Sequence, residues 1–157
     1  MAANPGRPAE EPDLLGARCN PMDTYLLEPI GWIRSELKNT KDAPRFYTEG
    51  APNARLELDA RVWGAMDGIK VGDEIVVITW LHLANRETLK VHPRGDLTRP
   101  KRGVFSTRSP HRPNPLGLHR AKVLAIDQNV VSIGPIEAID GTPVVDIKCV
   151  VKESPDD

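Results

Sequence analysis

At 157 residues, the chain is long enough for one domain with a real core and too short for two large ones. A formal net charge of -1 argues against a uniformly basic nucleic-acid binder, and no stretch approaches the roughly 20 apolar residues that span a bilayer or the apolar core of a signal peptide, so a cytoplasmic protein is expected. Cys19 and Cys149 lack the paired spacing of a zinc site or a disulfide framework, so a reducing compartment is expected and a metal is not.

Residues 1–24 hold four prolines, few apolar side chains and no periodicity, and read as a flexible or extended arm. The domain is assigned to 25–153, with a tail at 154–157. "YLLEPIGWIRSE" reads as a strand, "ARLELDA" alternates at period two, "RVWGAMDGIKVGD" is a short helical turn ended by glycine, and "GDEIVVITWLHL" is a β-branched run suited to a buried strand. "RETLKVHP" and "RGVFSTR" are two more short strands on either side of the polar loop "RGDLTRPK". "HRAKVLAIDQNVVSIGPIEAI" is a hairpin turning at Asp127, Gln128 and Asn129, and "TPVVDIKCVVK" is the closing strand. No helical period persists and strands follow one another without helices between them. The pattern predicts a mainly β domain, an antiparallel barrel rather than a sandwich, because closure removes the edges that such apolar strands would expose.

Between Lys90 and Lys122 stand nine Lys or Arg against one acid, Asp96, and three of the four histidines (His92, His111, His119) fall in the same interval. Local potential steers anions, so the interval is a candidate footprint for a phosphate-bearing partner; a solvated proline-rich surface is the alternative. Its centre is "TRSPHRPNPLGLHR", residues 107–120, with three prolines and three arginines. Proline fixes its own φ and pushes the preceding residue toward extended backbone, so a loop anchored between two strands has little freedom left to lose on binding. Arginines on such a loop make a clamp for carboxylate or phosphate, or else an ion pair that pins the loop.

"GVFSTRSPHRPNPLGLHRAKVLAID", followed by "IEAIDGTPVVDIK", closely resembles the signature of the TsaA-like family, also called the YaeB, VirR or TrmO family. The usual pattern there is a G-V-F-A-T-R-S-P-x-R-P-N-P-I-G loop and a D-G-T-P-V-L-D-I-K strand entry. "EPIGWIRSEL" and the histidine ending "VVITWLH" also fit, so the likeness runs from about Glu28 to Lys152.

The resemblance implies an S-adenosylmethionine-dependent methyltransferase on a small closed β-barrel, with no Rossmann sheet; the chain has no G-x-G-x-x-G after a strand. It also implies tRNA as substrate, methylated on the exocyclic nitrogen of threonylcarbamoyl-modified adenosine, and a homodimer with the cofactor near the subunit interface. Carried over residue by residue, the implied cofactor positions are Arg45, Phe46, His82, Leu83, Arg108, Leu118, Gly134, Pro135, Ile136 and Glu137. The family's Pro-Arg-Gln reads Pro44, Arg45, Phe46 here, and Glu137 stands where Asp is common. Leu118 and Ile136 suit an apolar slot for adenine, Glu137 the ribose hydroxyls, and Arg108 the methionine carboxylate. For His82 the competing role is that of a satisfied core histidine.

The nitrogen to be methylated lies between an aromatic ring and a carbonyl and must lose its proton, so a modest base or a nearby positive charge suffices, with proximity of the two substrates supplying much of the acceleration. Asp140 is the candidate base, with an Asx-turn through Gly141 and Thr142 as the alternative role. Arg99, Lys101, Arg102, Arg112, Arg120 and Lys122 are the expected RNA-phosphate surface. Two other functions stay open: methylation of another RNA or a small molecule, motivated by Phe46 and by the extra C-terminal domain of described members that this chain lacks, and a non-catalytic S-adenosylmethionine-binding module.

Overall fold

The computed structural model describes residues 24–151; the arm up to residue 23, Cys19 and the 154–157 tail lie outside the described residues. Six strands close into an antiparallel barrel: β1 (Gly31–Arg34), β2 (Ala54–Leu58), β3 (Glu74–Trp80), β6 (Leu116–Asp127), β7 (Val130–Gly134) and β8 (Pro143–Cys149). Around the ring the order is β1-β2-β7-β6-β3-β8, and β1 pairs with both β2 and β8, which seals the sheet. The remaining two strands, β4 (Lys90–Val91) and β5 (Arg102–Gly103), form a separate ribbon.

Period-two patterning builds the wall. Along β6 the inward positions Gly117, His119, Ala121 and Val123 are buried while Leu118, Arg120, Lys122 and Leu124 face out. Ile33, Leu56, Ile75, Val77, Val131 and Ile133 fill the interior with no exposed surface. Near the start of β1 the wall closes tightly at Gly31, where any Cβ would run into the Glu57 carbonyl. The β6–β7 hairpin turns at Gln128 (φ 49°) and Asn129, whose side-chain amide donates to the Leu58 carbonyl at 3.0 Å.

Three elements differ from the sequence expectation. "GDEIVVITWLHL" is strand only over Glu74–Trp80 and alternates, with Ile75, Val77 and Thr79 inward, because its outer face is only half covered. "YLLEPIGWIRSE" is strand only over Gly31–Arg34, and Tyr25, Leu26 and Leu27 are exposed ahead of it. The expected strand through "GVFST" ends at Gly103 and becomes a 3₁₀ turn over Val104–Ser106. There the Ser106 and Thr107 hydroxyls bond back to the Gly103 and Val104 carbonyls at 2.8 and 2.9 Å, satisfying locally the acceptors a ladder would have used.

Candidate functional site

The proline-rich loop is docked, not free. Leu81 donates its amide to the Pro115 carbonyl at 2.8 Å, Arg86 Nε donates to the Pro113 carbonyl at 2.9 Å, and the Asn85 amide donates to His111 Nδ1 at 2.9 Å. The segment just past β3 therefore grips the segment just before β6. Arg86 also lies over the Trp80 ring, 5.3 Å from its centroid, which fixes that grip against the barrel wall.

Inside the loop, Arg112 is the staple. Its Nε donates to the Ser109 carbonyl at 2.8 Å, and Nη2 donates to Thr107 and Val104 carbonyls at 2.7 and 3.2 Å. Its placement differs from the expected phosphate contact: a half-buried guanidinium turned onto three carbonyls of its own loop is a structural fork. Arg108 is the opposite case. It is exposed and, among the described residues, makes no hydrogen bond or ion pair, so the pinning role is not seen.

A buried polar set sits where β3 ends and β6 begins. His119, 5% exposed, has Nε2 2.9 Å from Thr79 Oγ1 and Nδ1 2.9 Å from Glu137 Oε1. The second carboxylate oxygen, Glu137 Oε2, is buried and has no hydrogen-bond partner among the described residues. Gly117 makes the room: a Cβ there would stand 2.5 Å from Thr79 Oγ1 and 2.6 Å from His119 Nε2. Thr79 has no part in the sequence expectations, and His119, counted there with the basic interval as a footprint for a phosphate-bearing partner, is buried inward instead; its place in an alternating strand was the visible signal.

Matching against protein families identifies residues 32–156 as the tRNA-methyltransferase O N-terminal domain. A Methanocaldococcus jannaschii protein named a probable S-adenosyl-L-methionine-binding protein is 48% identical over 128 residues, 79% of this chain and 90% of that one. One of the same description from Methanothermobacter thermautotrophicus is 40% identical over 122 residues, 78% of this chain and 87% of that one. Among solved structures, a TrmO from Pseudomonas aeruginosa superposes with a TM-score of 0.67 at 28% identity, covering 87% of this chain. The chain spans 60% of the length of that solved TrmO. This chain belongs to the tRNA-methyltransferase O N-terminal domain family.

The family's implied cofactor positions fall in several places. His82 and Leu83 follow β3, Leu118 stands on the outer face of β6 opposite Ile78, Arg108 is on the docked loop and Glu137 meets the inward His119, with Leu83 and Leu118 61% and 54% exposed. His82 is exposed, so the core-histidine alternative fails. Ile136 is fully buried in the core and its amide donates to the Pro52 carbonyl at 2.9 Å, so it lines no open adenine slot. Pro135 is exposed and Gly134 is buried against Asn53. Arg45 and Phe46 are exposed on the loop that rejoins the barrel at Pro52, beside Ile136, and Glu49 Oε2 accepts the Arg45 amide at 3.1 Å.

Asp140 is held by neighbours on another segment. Its Oδ1 accepts the Ser35 amide at 3.0 Å and its Oδ2 pairs with Lys38 Nζ at 2.9 Å, while the Thr142 amide donates to the Ile139 carbonyl, so no Asx-turn forms. The Lys38 ammonium and the Ser35 amide hold its carboxyl below the ordinary range, which makes it a weaker base. It lines an open hollow of about 650 Å³ with Arg34, Lys38 and Arg55, and none of the carried-over cofactor residues borders that hollow.

The expected RNA surface is partly spoken for. Besides Arg112, Arg99 pairs with Asp96 at 3.2 Å and Arg120 with Glu74 at 2.6 Å. Lys101, Arg102 and Lys122 are exposed, with side chains unpaired among the described residues. No helix among the described residues is long and apolar enough to cross a membrane, and no group of three His, Cys, Asp or Glu there is placed to hold a metal ion.

Proposed function

We propose that the chain binds S-adenosylmethionine beside the docked loop and, as a homodimer, methylates the exocyclic nitrogen of threonylcarbamoyl-modified adenosine in tRNA. The observation that carries the reading is the buried, partnerless Glu137 Oε2; the exposed, unpaired Arg108 on the docked loop and the exposed Leu83 and Leu118 near the loop's two anchor points support it. A cation, apolar surface and a carboxylate acceptor match the carboxylate, adenine and ribose of that cofactor. The orphaned carboxylate oxygen suits that cofactor, since burying an acceptor without a donor is costly and a ribose hydroxyl is a donor of the right kind.

The cofactor, when bound, supplies an electrophilic methyl on a sulfonium centre. The chain's own residues bind and orient. Arg108 holds the amino-acid carboxylate on a loop that Arg112 and three prolines keep in one shape, so little order is lost on binding. With Asp140 tied to Lys38 and Ser35, positioning of the two reactants is the chain's main contribution to rate. Dimerisation is supported by the openness of the site in one protomer, where Leu83, Phe105, Leu116 and Leu118 are all exposed.

Phe46, 43% exposed in the position of the family's glutamine, favours a second reading in which the acceptor is another RNA or a small molecule. Mass analysis of tRNA nucleosides from a strain lacking the gene separates the two. Loss of the methylated threonylcarbamoyladenosine supports tRNA; an unchanged nucleoside profile removes it.

A further inference from the structure

We propose that His119, braced by Thr79, is a positioning residue that fixes the Glu137 carboxylate so that Oε2 accepts from the hydroxyls of a bound ribose. The inference rests on the cofactor reading of Glu137 above and adds residues that reading does not contain.

A glutamate side chain near a surface samples several rotamers, and its carboxylate is then a poor anchor. Here one oxygen is tied down: Oε1 lies 2.9 Å from His119 Nδ1. The carboxylate can only accept, so Nδ1 carries the proton. The ring is itself immobile, because it is 5% exposed and its other nitrogen is 2.9 Å from Thr79 Oγ1, a fully buried hydroxyl. Thr79 faces Gly117 across the β3–β6 ladder, and the missing Cβ of Gly117 leaves the space that the ring and the hydroxyl share. The chain of contacts therefore runs from the rigid barrel wall to a single carboxylate oxygen. That oxygen is Oε1; the other oxygen of the same carboxylate, Oε2, is the one without a partner.

A histidine kept only for packing needs neither the acid nor the orphaned oxygen. A histidine that orients the acid needs both, as the orienting partner of a working carboxylate or imidazole does in other sites. The ligand chemistry selected is a hydroxyl donor, since Oε2 is a buried acceptor without a partner, and the ribose of the proposed cofactor carries two such donors side by side.

The test is calorimetric binding of S-adenosylhomocysteine and of its 2′,3′-dideoxy analogue to the full chain and to His119→Asn and His119→Gln. The asparagine amide falls near Nδ1 and keeps a donor for Glu137; the glutamine amide falls near Nε2 and keeps only the Thr79 contact. His119→Gln should weaken S-adenosylhomocysteine binding by about tenfold, the loss of one charge-assisted contact, while His119→Asn stays within about threefold of wild type. The dideoxy analogue should bind wild type and His119→Gln equally. Thr79→Val, which keeps the histidine and the glutamate, is the second variant should the first pair fold poorly, and should weaken S-adenosylhomocysteine by about threefold. Equal losses in the Asn and Gln variants, or a dideoxy analogue that suffers as much as the parent, overturns the positioning role. Wild-type binding that His119→Gln leaves unchanged overturns it alone, whereas no saturable wild-type binding overturns the cofactor reading and this inference with it.

Discussion

Replacing Arg112 with alanine separates a staple from a phosphate contact. The guanidinium makes three bonds to loop carbonyls, at 2.7, 2.8 and 3.2 Å. At about 0.5–1.5 kcal/mol net for each, with the longest at the weak end, their loss totals about 2 kcal/mol, or roughly thirtyfold in the equilibrium between docked and open loop. The cost falls on the loop, because the barrel strands keep their ladders. Native-state hydrogen exchange should therefore show amides at Thr107, Leu81 and Asn85, which bond to Val104, Pro115 and His111, losing protection by about thirtyfold, with β2 and β7 unchanged. Arg112→Lys should not restore them, since an ammonium cannot reach three carbonyls as a planar fork does. If Arg112 instead met an RNA phosphate, the slope of log affinity against log salt would shrink by about 0.7–0.9 in the alanine variant. Unchanged protection together with a reduced salt slope refutes the staple.

Arg108→Ala should weaken S-adenosylmethionine binding in calorimetry by about tenfold to a hundredfold while melting temperature stays put, because the side chain has no described partner to lose. For Asp140, a carboxyl held below its ordinary pKa adds stability that is present above the unfolded value and lost as pH falls through the folded one; Asp140→Asn should flatten that acid-side loss in pH-dependent unfolding and leave the pH-rate profile unchanged. Leu56→Ala, at a fully buried core position, should cost about 2–5 kcal/mol in urea unfolding. Neutralising Lys101, Arg102 and Lys122 together should lower the salt slope of tRNA binding by about 2–3, with cofactor affinity constant; a flat slope in the parent protein argues for a solvated surface.

The barrel and its hairpin were legible because period-two alternation in "ARLELDA" and the turn around Asp127 to Asn129 express burial on one face, which sequence records directly. The "GVFST" misreading has a local cause, since hydroxyls that fold back on their own carbonyls compete with a ladder in a way β propensity does not encode. Motif reasoning singled out Arg108 and Glu137, whose types and order are distinctive, and the structure leaves the Arg108 side chain and Glu137 Oε2 without partners among the described residues. The same reasoning put Arg112 on the wrong side of the loop and gave Ile136 to the ligand, because a motif records which residues recur together and not which way each one points. Thr79 and His119 are far apart in sequence and meet only through the β3–β6 register, so their contact with Glu137 emerges only once the strands are paired. The nine basic residues of the 90–122 interval likewise looked like one patch, yet Glu74 and Asp96 neutralise two of them in space.

The most direct test of the account is methyl transfer by the purified chain itself, using S-adenosylmethionine with an isotopically labelled methyl group and tRNA that carries threonylcarbamoyladenosine, with nucleosides resolved by mass after digestion. The account predicts label on the exocyclic nitrogen of that one nucleoside, lost in Arg108→Ala and retained in Asp140→Asn. Saturable cofactor binding without label in any tRNA nucleoside contradicts it.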